Sequence, residues 1–300
     1  MSISLTGRVV AVTGGSRGIG YAIARAFRDH GAKVAIGALN QTQLHTATTE
    51  LGLSCSSRLD VADPASFRAF LDTVTRELGP LDVLVNNAGI MPIGALLDES
   101  DELTRRTLET DVLGVITGTK RALELMIPRG RGHVVNICSV MGQAALPGTA
   151  TYNACKAAAI TFTDAVRLEH RHTDVRISTI LPGGVATELV AGLDSTVSLP
   201  VPGTTRRIPL IKEVSPDAVA DAVVRTVERD VSAPRVYVPK IAGPFLTAQR
   251  FLPRGVGEAL NLLLGGENAC NADQLARRDY QGRINPAQAQ QDAAANHPSR

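Results

Sequence analysis

The segment Thr13-Gly14-Gly15-Ser16-Arg17-Gly18-Ile19-Gly20 stands where a β-branched run over residues 8–13 gives way to the helical spacing Ile19, Ala22, Ile23, Ala26 and Phe27, which Gly31 ends. Glycines here permit a tight strand-to-helix turn. They also let a charged group approach the helix N-terminus, whose free N–H groups and dipole favour an anion. The ligand that fits this arrangement is the pyrophosphate of a dinucleotide. The plainer alternative is that the glycines serve only the turn.

The same unit recurs along the chain. Strand patterns at 33–36, 54–59, 81–85, 132–137, 175–180 and 235–238 alternate with helical patterns at 41–51, 64–78, 102–127, 150–170 and 216–229. Strands such as Val83-Leu84-Val85 and His133-Val134-Val135-Asn136-Ile137 are nearly continuous apolar runs, as strands covered by helices on both faces must be. The expected fold is α/β: a Rossmann-type doubly wound parallel sheet in three layers, with a short helical C-terminal extension. Residues 1–240 are read as the dinucleotide-binding and catalytic domain, and 241–300 as a helical extension whose tail, from 286, is frayed. Residues 182–216 are rich in Pro, Gly, Ser and Thr and too long for an ordinary loop, so they read as a substrate lid.

Composition removes several classes of function. Lys and Arg number 31 against 29 Asp and Glu, a net charge of +2 that offers no excess to concentrate nucleic acid or an anionic membrane. Aromatic residues make up 3% and Trp is absent, leaving little for base stacking. Cys55, Cys138, Cys155 and Cys270 show no ligand spacing, so neither a metal site nor a disulfide framework is indicated, and a reduced cytoplasmic setting is expected. No stretch reaches the length of a transmembrane span.

The end of the second strand bears on cofactor choice. NAD-selective folds place an acid there to hold the ribose 2′-OH, but Ile36-Gly37-Ala38-Leu39-Asn40 has none. Ala38 removes the repulsion a carboxylate would exert on a 2′-phosphate, and Arg17 can supply a charge-assisted partner. NADP(H) is therefore favoured, with NAD(H) still possible. Farther along, Tyr152 and Lys156 lie four apart at the start of a helix and share a face. A phenol is a poor base at neutral pH, and a nearby ammonium stabilises its anion. Ser139 ends an apolar strand, where its hydroxyl can meet a substrate oxygen above the carboxyl edge of the sheet.

These motifs, in this order, resemble the short-chain dehydrogenase/reductase family over residues 5–239. The matching elements are TGxxxGIG at Thr13 to Gly20, the pair Asp60-Val61, Asn86-Asn87-Ala88-Gly89, the set Ser139, Tyr152 and Lys156, and Pro182-Gly183 opening a segment that ends at Thr187. The resemblance implies that Gly14, Ser16, Arg17, Gly18, Ile19 and Gly20 cradle the cofactor phosphates. It implies that Asp60 touches the adenine, that Asn87, Ala88 and Gly89 support the sheet and ribose, and that Val185 and Thr187 face the nicotinamide. Asn87 and Asp60 could instead be structural caps. Tyr152 would exchange the proton, Ser139 would hold the reacting oxygen, and Lys156 would bind the nicotinamide ribose while lowering the Tyr152 pKa. One position departs from the pattern: Asp111, in Asp111-Val112-Leu113-Gly114, stands where the family usually has Asn at a helix irregularity. Its charge would oppose the influence of Lys156 on Tyr152.

The function expected is interconversion of a secondary alcohol and a ketone on a lipophilic substrate, by a homodimer or homotetramer. The apolar lid (Val197, Leu199, Val201, Ile208, Leu210, Ile211) and the extension (Phe245, Leu246, Phe251, Leu252) suggest such a substrate, although core or oligomer contacts would use the same residues. Two rivals stand beside this reading. One is a dinucleotide-binding regulatory or scaffold protein with little turnover. The other is a ketoacyl reductase using Arg206 and Arg207 at the rim.

Overall fold

The computed structural model describes residues 2–190, 197–200, 204, 206–211, 213–264 and 273–284. Seven parallel strands form the central sheet: β1 (Val9–Thr13), β2 (Lys33–Ala38), β3 (Cys55–Arg58), β4 (Val83–Asn86), β5 (Gly132–Ile137), β6 (Val175–Pro182) and β9 (Val236–Val238), in the order β3-β2-β1-β4-β5-β6-β9. Alternation along the strands divides the core in two. Val10 and Val12 of β1 join Ile36 and a layer including Ile23, Phe27 and Val223. Val9 and Ala11 point the other way, to Phe67, Phe70, Met126 and Val166. The helices behind these contacts are α1 (Gly18–Asp29), α2 (Gln41–Glu50) and α7 (Pro216–Glu228) on one face, and α3 (Pro64–Leu78), α5 (Gly114–Met126) and α6 (Ala150–Glu169) on the other. The result is the three-layer, doubly wound arrangement anticipated from the sequence.

Strand order reverses between β1 and β4, which opens a crevice at their carboxyl ends. Thr13 and Asn87 lash that point together. The Thr13 hydroxyl accepts from the Asn87 and Ala88 N–H groups at 2.9 and 3.0 Å, and the Asn87 side-chain amide donates to the Thr13 and Gly14 carbonyls at 3.0 and 3.3 Å.

Two expectations change. The single helix expected over 102–127 is two helices, α4 (Asp101–Leu108) and α5, joined by a π-helical turn at Glu109–Leu113. The segment read as an irregular lid contains an antiparallel pair, β7 (Val197–Pro200) with β8 (Arg207–Ile211), and the Ser198 N–H donates to the Leu264 carbonyl at 3.1 Å. The side chains of the apolar lid residues and of Arg207 lie outside what is described, as do Cys270 and the tail from 286. The extension forms α8 (Ala242–Gln249), α9 (Arg254–Leu263) and α10 (Gln274–Ile284). Its apolar residues divide: Phe245 and Leu246 line the crevice, whereas Phe251 and Leu252 are exposed. Among the described residues no helix is long and apolar enough to cross a membrane.

Candidate active site

Every site residue nominated above, from Gly14 to Thr187, lines one cleft of about 940 Å³. Its floor begins at the glycine turn. Gly14 and Gly18 adopt left-handed backbone (φ 63° and 55°), and a Cβ on Gly20 would collide with the Gly14 carbonyl oxygen. The turn is thus a bare-backbone cradle that any side chain would fill, which suits a pyrophosphate at the N-terminus of α1. The nominated residues therefore fit a dinucleotide. Asp60 accepts from the Ala62 N–H at 3.1 Å while also lining the cleft, so it is a local cap at the edge of the groove. Asn87 carries a structural duty of the same kind through its bonds to Thr13 and Gly14.

Arg17 lines the cleft and is paired there with Glu188. Its guanidinium lies 2.6 Å from the Glu188 carboxylate and 6.0 Å from the Tyr280 ring. Arg58 stands opposite Ala38 in the β2–β3 register. Nothing in the local sequence marks Arg58 as a neighbour of Ala38, since the pairing joins positions separated by all of α2.

The reacting end of the cleft is built by three elements. β5 delivers Ser139 just past its carboxyl end, where the hydroxyl oxygen accepts from the Met141 N–H at 3.1 Å. The first turns of α6 place Tyr152 and Lys156 together, both buried, with the Lys156 Nζ 5.4 Å from the Tyr152 ring centre and the Ser139 hydroxyl lining the same end of the cleft. The π-turn contributes Asp111. One carboxylate oxygen, Oδ2, lies 2.9 Å from the Lys156 Nζ, and the other, Oδ1, accepts from the Ile90 N–H at 2.8 Å. A wider turn lets the Asp111 side chain leave the helix surface and reach the lysine, consistent with π-turns marking functional positions.

This fully buried neighbour changes the electrostatics. Burial pushes the Tyr152 phenol above its ordinary value, Lys156 pulls it down, and Asp111 pushes it up again. The Asp111 carboxyl is itself raised by burial, against the pull of Lys156 and the Ile90 N–H. Burial alone would lower Lys156, but the neighbouring charges, Asp111 foremost, hold it above its usual range. The ammonium divides its field between a carboxylate and a phenol.

Sequence reasoning missed several residues of the cleft. Met91, Glu188, Tyr280, Arg283 and Ile284 all line it. None belongs to a periodic or spaced pattern, and the last three arrive from α10, at the far end of the chain.

A family model described as short chain dehydrogenase matches residues 8–198, and the chain belongs to that family, whose members are oxidoreductases acting on CH–OH groups. Among its relatives, the cis-4-hydroxycyclohexanecarboxylate dehydrogenase of Sinomonas cyclohexanicum is 36% identical over 72% of this chain and 87% of its own length. The 2,5-dichloro-2,5-cyclohexadiene-1,4-diol dehydrogenase LinX of Sphingobium indicum is 33% identical over 75% and 90% respectively. A dehydrogenase/reductase SDR family member 7B of Bos taurus is 35% identical over 60% of this chain, which spans 59% of that relative. Among solved structures, a single-substitution variant of actinorhodin polyketide ketoreductase with NADPH superposes with a TM-score of 0.68 at 30% identity, covering 79% of this chain and 97% of that one.

Proposed function

We propose that this protein interconverts a secondary alcohol and a ketone on an apolar, ring-bearing substrate, with NADP(H) as its preferred cofactor. The observation that carries this reading is the meeting of Ser139, Tyr152 and Lys156 in a cleft continuous with the glycine turn. A nicotinamide dinucleotide, when bound, would supply the hydride in reduction and take it up in oxidation. The chain's own groups do the rest. Ser139, whose oxygen already accepts from Met141, holds the substrate oxygen by donating its hydroxyl proton. Tyr152 Oη gives that oxygen a proton in reduction and takes one in oxidation. Lys156 keeps positive charge beside the phenol and so favours its ionised form.

The substrate class is supported by the walls of the cleft, where Met91, Met141, Leu146, Leu189, Phe245 and Leu246 leave few polar groups to satisfy. Two relatives named for six-membered-ring substrates point the same way. Ala38, without a carboxylate at the end of β2, supports NADP(H). The test is steady-state turnover of cyclohexanol, cyclohexanone, larger cyclic ketones and an acyl-thioester ketone with each cofactor, in the wild type and in Tyr152→Phe. Turnover of cyclic substrates is expected, with loss of at least roughly a hundredfold in the variant, the scale of a positioned proton donor. Cofactor binding without turnover of any substrate would favour a regulatory protein instead.

A further inference from the structure

Helix α10 lies at the far end of the chain, yet its side chains reach the loops beside Tyr152. Arg277 is fully buried. One of its Nη atoms donates to the Leu189 carbonyl at 2.8 Å and the other to the Met91 carbonyl at 3.0 Å. Met91 belongs to the loop after β4 and Leu189 to the short turn Glu188–Val190 after β6, so one guanidinium ties together the two rims of the cleft. The Met91 N–H in turn donates to the Tyr280 hydroxyl oxygen at 2.7 Å, and the Tyr280 ring lies 5.0 Å from the Arg277 guanidinium. Met91, Ile93 and Tyr152 form one buried cluster, and Leu189 packs against it together with Met141 and Val190. On the outer side, Tyr280 and Ile284 pack with Leu103 against Ile90 and Leu189.

A second connection runs to the glycine turn. The Glu188 carboxylate sits between Arg17 and Arg283, at 2.6 and 2.5 Å. All three side chains are partly exposed, so solvent screens this bridge and it adds little holding strength. The buried Arg277 is a different case. Its charge is removed from water, and losing its carbonyl partners would leave donors unsatisfied in the interior, so these bonds anchor the helix.

We propose that α10 is the outer wall of the reaction cleft, that Tyr280 and Ile284 determine the size of substrate admitted, and that Arg277 is a positioning residue holding Met91 and Leu189 around Tyr152. This rests on the alcohol–ketone reading above and deepens it. Substrate bulk meets Tyr280 and Ile284 from within the cleft, where both are lining residues. Shortening Ile284 makes room on that wall, and releasing Arg277 loosens it.

The experiment measures kcat/KM for cyclohexanone and for the two-ring ketone decalone with NADPH, in the wild type, Ile284→Ala and Arg277→Met. The ratio of decalone to cyclohexanone should rise roughly tenfold in Ile284→Ala, the scale of a few methylene groups in an apolar pocket. It should move in the same direction in Arg277→Met, which a purely structural role would not cause. A ratio that both variants leave unchanged overturns the proposal. Amide hydrogen exchange at Met91 gives a readout independent of turnover. If the wild type reduces neither ketone, the functional reading falls, and the wall is judged by that amide alone. Protection lost in Tyr280→Phe upholds it, and exchange unaltered in Tyr280→Phe overturns it.

Discussion

Asp111 projects from the π-turn onto the Lys156 ammonium. Its carboxylate is fully buried against Lys156, and its charge raises the Tyr152 phenol that Lys156 lowers. In the proposed mechanism oxidation needs the phenol ionised to accept the alcohol proton, so its rate is expected to climb as pH rises through the Tyr152 pKa. In Asp111→Asn the opposing charge is gone while an amide oxygen can still accept from the Ile90 N–H. The rising limb of kcat/KM against pH, measured for cyclohexanol oxidation, is therefore expected to move to lower pH than in the wild type. A limb that stays in place, or moves to higher pH, would show that Asp111 acts only through hydrogen bonding. The closeness of Tyr152 and Lys156 was legible from residue spacing, because the two share a helix face whatever the rest of the fold does. The direct Asp111–Lys156 ion pair was less so, since its reach depends on the π-turn.

At the scale of elements, α5 packs on the sheet through a residue with no side chain. A Cβ at Gly118 would collide with Asn86 Oδ1 and lie 2.5 Å from Phe67 Cζ. Neither can yield easily: Phe67 is wholly buried, and the Asn86 amide donates to Asn136 Oδ1 at 2.9 Å inside the sheet. Alanine would add about 1 kcal/mol of helix propensity. Overpacking costs about 1–3 kcal/mol, and disturbing a buried polar network adds to that. Gly118→Ala is accordingly expected to destabilise by about 2 kcal/mol, the middle of that overpacking range, read as a lower urea midpoint with unchanged slope.

The β5–β6 pair contains a second such element. His133 is buried neutral with Nε2 2.8 Å from the Ser178 hydroxyl, and burial, assisted by Arg176, lowers its pKa to about 3. Because the folded value lies below the unfolded one of about 6.5, the unfolded chain takes up the proton first as pH falls. The contribution of His133 to stability is complete above that unfolded value and is lost as pH drops towards 3, at about 1.4 kcal/mol per unit. Urea unfolding between about pH 6.5 and about pH 4.5, inside that window, should therefore show a shallower pH dependence in His133→Gln than in the wild type.

For the molecule as a whole, the cofactor is the ligand expected to clamp the two halves of the sheet across the switch point between β1 and β4. A ligand present at about a hundred times its dissociation constant stabilises the fold by about 2.7 kcal/mol. NADPH is expected to raise the melting temperature more than NADH at equal concentration. Ala38→Asp should reverse that order by setting a carboxylate against the 2′-phosphate. Equal shifts in the wild type would remove the argument from Ala38.

The strands, the glycine turn and the Tyr152–Lys156 pair follow from the order of residues alone, because each depends on neighbours a few positions apart and on periods of about two or about 3.6. The doubly wound topology follows from their alternation, since short right-handed crossovers leave few other ways to bury apolar strands on both faces. The outer wall of the cleft had no such local signature. Arg277 meets Met91 across 186 positions, and Tyr280, Arg283 and Ile284 sit on a helix whose pattern gives no sign of where it docks. Only the tertiary structure decided that placement, because a contact so distant in sequence is chosen by the surface the rest of the chain has already formed.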